Sequence, residues 1–85
     1  MSETSRETIE KKMRILNDEI LRQVTASPRR GSPEAIALER ATASTRSAAR
    51  RLRNNDRHED ASANGELEAA AAYLWGPTRP DNWPS

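Results

Sequence analysis

The chain has 85 residues, 34% of them hydrophobic, and a formal charge of +1 from 14 basic and 13 acidic side chains. That length makes one domain, near the lower limit at which a single core suffices. The absence of Cys excludes disulfides, thiolate metal sites and cysteine nucleophiles. The apolar inventory is thin: 13 residues are Ala, Ile, Leu and Val together fill only 11 positions, and there is no Phe. Such a composition predicts helices whose burial is completed by self-association or by a larger complex. No apolar run is long enough to span a bilayer, and the first residues are of mixed charge rather than basic and then apolar. The expectation is a soluble, cytoplasmic protein without membrane contact.

From Ser5 to Thr25 neither Gly nor Pro interrupts, and Ile9, Met13, Leu16, Ile20 and Val24 recur at steps of four and three. This is one face of an α-helix. Thr4 and Glu7 fit a capping box at its start. Ile15 and Leu21 widen the apolar stripe on opposite flanks, and Lys12 is assigned to the charged face.

Ser27-Pro28-Arg29-Arg30-Gly31 breaks the helix, because Pro disfavours helix in the residue before it and Gly terminates helices at little steric cost. Ser32-Pro33-Glu34 then supplies an N-cap hydroxyl, a Pro at the first helical position and a carboxylate in the first turn. The second helix is predicted to run to about Arg53, with a seam of Ala35, Leu38, Thr42, Thr45, Ala49 and Leu52. Small seam residues let helix axes approach, so the first two helices are expected to form an antiparallel hairpin.

Asn54 to Gly65 is rich in residues that compete for backbone hydrogen bonds and reads as a loop, although one continuous helix from Pro33 to Trp75 is the alternative. A shorter third helix is predicted from about Glu66 to Trp75, with Leu67, Ala70 or Ala71, and Leu74 on one face. Gly76-Pro77 stops it, and the Pro-rich remainder reads as extended. The whole is an all-α fold: a helical hairpin and third helix over residues 1–75, followed by a tail over 76–85.

All three aromatic residues, Tyr73, Trp75 and Trp83, fall in the last thirteen positions of the sequence, across the end of the third helix and the tail. Trp offers a large apolar surface with one hydrogen-bond donor, and nearby prolines lower the cost of ordering an extended segment. Tyr73, Trp75 and Trp83, with the flank residues Ile15 and Leu21, are therefore the candidate protein-binding residues. The competing reading has Trp83 folding back to complete a core that otherwise lacks aromatics.

Charge is sorted along the chain. Residues 28–57 carry eight Arg against three acids, and residues 58–75 carry four acids with no Lys or Arg. Arg46, Arg50, Arg53 and Arg57 recur at steps of four and three, with Arg51 beside them, a pattern that serves phosphate contact. The neighbouring acids Glu59, Asp60, Glu66 and Glu68 offer these arginines partners within the chain, and the favoured expectation is that the stripe is largely neutralised there or across a protein contact.

His58, the single histidine, sits in a hydrophilic stretch without convergent ligands. No nucleophile with its base, no Gly-rich phosphate loop and no paired metal-ligand motif occurs. No catalytic residue, metal or cofactor is assigned. The sequence points to a non-enzymatic interaction or assembly factor that is oligomeric or part of a complex. Its partner is expected to be protein, with nucleic acid on the Arg-rich second helix as the alternative.

Overall fold

The computed structural model describes residues 5–84 apart from 54–56, and the side chains of all of these but Arg57 and His58. Its elements are three helices, α1 (Arg6–Ala26), α2 (Pro33–Arg53) and α3 (Arg57–Trp75), and no strand occurs among the described residues.

α1 begins at Ser5, whose backbone is extended and whose Oγ accepts the Thr8 N–H at 3.1 Å. Thr4, one half of the expected box with Glu7, lies outside the described residues, and the N-cap of the helix is Ser5. Of the predicted apolar face, Ile9 and Leu16 are fully buried, Met13 and Ile20 are half-buried, and Val24 is exposed. Ser27 ends the helix in the left-handed region, φ 53°, with its N–H bonded to the Val24 carbonyl. Gly31 takes the other positive φ of this loop, 81°, which a side chain would strain. Ser32 then caps α2 as predicted, its Oγ accepting from the Ala35 N–H at 3.1 Å, with Pro33 at the first helical position.

α3 starts nine residues earlier than the sequence suggests, since residues 57–65 are helical and not a loop. Two forces override the local composition. Glu59 and Asp60 lie in the first turn, where the helix dipole favours anions, and Ala63 is fully buried. A continuous Pro33–Trp75 helix is excluded, because α2 and α3 lie side by side and antiparallel, with Arg51 paired to Glu59 at 2.9 Å.

α1 and α2 form the expected antiparallel pair across the Ser27–Ser32 loop, but the closest packing in the molecule is between α2 and α3. Its cause is side-chain size: Ala41 and Ala48 of α2, with Ala63, Ala70 and Ala71 of α3, are all fully buried. Alanine keeps the backbones near one another where Leu would hold them apart. This corrects the predicted α2 seam: Leu38 and Thr45 are buried, but Ala41 and Ala48, outside that seam, are buried as well, while its members Thr42 and Ala49 are half-buried beside α1. Thr45 is buried without penalty because its hydroxyl donates to the Ala41 carbonyl at 2.8 Å. Among the described residues the large side chains that are fully buried are Ile9, Leu16 and Leu67, and Met13, Leu52, Leu74, Trp75 and Trp83 close the cluster around them.

Candidate docking surfaces

Glu68 gathers the C-terminal segment onto the bundle. Its position on α3, one turn after Asn64, places both side chains on the face met by Lys12 of α1. Lys12 Nζ donates to Asn64 Oδ1 at 2.8 Å and pairs with Glu68 Oε2 at 3.0 Å. The same carboxylate oxygen accepts from Trp83 Nε1 at 3.1 Å, while Oε1 takes Arg79 at 3.4 Å. Lys12 Nζ also lies 5.7 Å from the Trp83 ring centroid, within reach of a cation–π attraction. Trp83 in turn meets Trp75 edge to face, with centroids 5.7 Å apart.

This arrangement corrects the placement of Lys12. It is only 6% exposed, not part of a solvated face. Its spacing from Ile9 and Leu16, three and four residues, put it on the buried row, and that was the available signal. An ammonium so placed needs partners, and Glu68, Asn64 and the indole face supply them. Burial alone raises the Glu68 carboxyl, but the Lys12 bond and charge, the Trp83 donor and the Arg79 charge outweigh it and hold the group below its ordinary value. The cluster is built from side chains of all three segments. It works as a latch between α1, α3 and the tail.

The tail reaches the latch through turns. Gly76, φ 66°, bonds back to the Ala72 carbonyl at 2.8 Å, and the Trp83 N–H closes a second turn on Pro80 at 3.0 Å. Arg79 Nη1 ties the segment further by donating to the Gly76 and Thr78 carbonyls, each at 2.7 Å. Trp75 and Trp83 are therefore half-buried against their own chain. Ile15 and Trp75 line a cleft of about 320 Å³ bordered also by Asp18, Glu19, Arg22, Pro80 and Asn82. Tyr73 is separate and 41% exposed, in the last turn of α3.

A second surface lies between α1 and α2. Met13, Asn17 and Ile20 on one side and Thr42, Thr45, Arg46 and Ala49 on the other line a groove of about 270 Å³. Leu21 and Val24, 66% and 54% exposed, follow along α1 next to Asn17 and Ile20. Ile36, 45% exposed, opens α2 at the same end of the bundle. Of the candidate residues, then, the structure brings Ile15, Trp75 and Trp83 together and leaves Leu21 and Tyr73 apart from them and open.

The arginines divide as well. Arg51 is bound to Glu59, as expected. Arg46, Arg50 and Arg53 are exposed, and none of them has an ion pair among the described residues, so the intrachain half of the expected neutralisation is not seen for these three. That block is used elsewhere, with Glu59 on Arg51 and Glu68 on Lys12 and Arg79. The Arg57 side chain lies outside the described residues, as does that of His58. Arg6 Nη2 donates to the Leu52 carbonyl, setting a cation at the C-terminal end of α2 where the dipole favours it.

Among the described residues no group of three or more His, Asp or Glu could hold a metal ion, and no helix is long and apolar enough to cross a membrane. Comparisons of the chain with protein-family models, curated proteins and solved structures find no match.

Proposed function

We propose that this chain is a non-enzymatic interaction or assembly module that docks another protein through the α1–α2 face. The observation that carries the reading is the groove between Met13, Ile20 and Ala49, extended by the exposed Leu21 and Val24. Apolar side chains on a chain this short of them have most to gain from a partner that covers them. The tail, which the sequence offered as an anchor, serves the chain's own fold through Trp83 and Glu68 in this reading, so docking falls to the helical faces.

A second reading, nucleic-acid binding, is favoured by Arg46, Arg50 and Arg53 standing exposed in a row. It ranks second because phosphate contact has no use for a methyl-lined groove beside that row.

The test compares the tagged wild type with Leu21→Ser/Val24→Ser in cells that make the protein. Both positions are exposed, so each change should alter stability by no more than about 0.5 kcal/mol. A stoichiometric protein partner held by the wild type and lost by the variant supports the proposal. Equal recovery with both, or nucleic acid as the bound species, contradicts it.

A further inference from the structure

Taking the α1–α2 face as the docking site, we propose that its occupant is an acidic amphipathic helix of another protein. That helix lies along the groove with its apolar stripe over Met13, Ile20 and Ala49 and its carboxylates toward Arg46, Arg50 and Arg53. A furrow between two antiparallel helices accepts a third helix side-on, its ridge of side chains seated between theirs. A groove of about 270 Å³ holds one or two aliphatic side chains, so the apolar part of the contact is specific but small. Charge supplies the rest.

Arg46, Arg50 and Arg53 follow one another at steps of four and three, about 10 Å along the α2 axis at 1.5 Å per residue. A helix laid alongside repeats at the same pitch, so carboxylates three or four residues apart on its flank meet all three guanidinium groups. Arg binds a carboxylate through two parallel donors, which fixes orientation as well as adding attraction. The chain's own acids leave these arginines to a partner. Glu59 and Glu68 are engaged elsewhere, and the same α2 row contains only Glu39, two turns before Arg46.

The same charges argue against a second copy as occupant. Two such faces brought together would set the α2 row of three arginines with one glutamate near an identical row, and like charges across an interface repel. A duplex could neutralise the arginines, but it would leave Met13, Ile20, Leu21 and Val24 uncovered, and Glu39 would oppose it.

The experiment titrates the full chain, with labelled methyl groups, against three designed helical peptides of about 18 residues, or ~27 Å of helix. They share one leucine stripe and differ in a single flank of Glu, Gln or Lys, and a short DNA duplex is the fourth probe. The expected result is that the Glu peptide shifts the Met13, Ile20 and Ala49 methyl signals and binds at least tenfold more tightly than the Gln peptide at low salt. The gap should narrow as salt screens it. Arg46→Glu/Arg50→Glu/Arg53→Glu should transfer the preference to the Lys peptide. No methyl shift with the Glu peptide, equal binding of the Glu and Gln peptides, or tighter binding of the duplex would overturn the proposal. The docking reading fails separately. If the partner captured through Leu21 and Val24 is still held by the triple Arg variant, the face stands and the acidic occupant falls. If neither set of substitutions affects capture, the face itself is wrong.

Discussion

Replacing Trp83 by Ala removes the largest side chain of the tail from its seat on Glu68, Trp75 and Lys12. A fully buried Trp costs about 3–5 kcal/mol on truncation. Trp83 is half-buried, so its packing accounts for roughly half of that, ~2 kcal/mol. The hydrogen bond to the Glu68 carboxylate adds ~1 kcal/mol, below the ~1.5–3 kcal/mol of a charged acceptor because Glu68 is partly open to water that can replace it. The edge contact with Trp75 overlaps with the packing and is not added. The expected loss is ~3 kcal/mol, a large part of the ~4–13 kcal/mol ordinary for a chain of this length. The midpoint of thermal unfolding should fall by roughly 12–24 °C, at about 4–8 °C per kcal/mol. Trp83→Phe keeps a ring and loses only the donor, so it should cost ~1 kcal/mol. Urea unfolding followed by circular dichroism measures both. In a Trp75→Phe background, emission from Trp83 should already be shielded in the free protein. A Trp83→Ala change below about 0.5 kcal/mol, with exposed emission from Trp83, would refute the latch.

Four further outcomes follow from the same packing. Lys12→Ala should cost about 2 kcal/mol in urea unfolding, since it removes a buried stem and leaves Asn64 and Glu68 without their partner, whereas Lys12→Met should cost about half as much. Leu16→Ala should lose about 2–5 kcal/mol by the same measurement, against no more than about 0.5 for Leu21→Ala. Ala48→Leu should destabilise by about 1–3 kcal/mol, because it forces a larger side chain into the α2–α3 contact. Glu68 has a folded pKa held below its unfolded value, so its contribution is present above the unfolded pKa and is lost as pH falls through the folded one. Stability measured from neutral to acid pH should therefore decline less steeply in Glu68→Gln than in the wild type.

The sequence disclosed the elements whose signals are local. The step-of-four apolar row of α1 and the Ser32-Pro33 start of α2 both depend on residues within a turn of one another. What it did not disclose depends on distant partners. Residues 57–65 look like a loop because Ser62, Asn64 and Gly65 are poor helix formers, yet Ala63 gains full burial only by lying along the helix that also carries Leu67 and Ala70. Lys12 reads as a surface charge until Asn64 and Glu68, more than fifty residues away, are brought to it. The small α2 seam was visible, but which neighbour it met was not, since helix 1 and helix 3 both offer an apolar stripe and only packing shows that the alanines of α3 approach more closely. The sequence offered the aromatic end either as an anchor for a partner or as a segment folded back on its own core, and the carboxylate that holds Trp83 lies in an acidic stretch read only as a counterweight to arginine.

In the proposed function, docking falls to the α1–α2 face while the tail stays on its own chain. The most direct measurement is hydrogen exchange of the full chain with and without its protein partner. Protection should increase along the outer sides of α1 from Met13 to Val24 and of α2 from Thr42 to Arg53, with residues 76–84 unchanged. Protection confined instead to Tyr73, Trp75 and the segment through Trp83 would contradict it and return the function to the aromatic end.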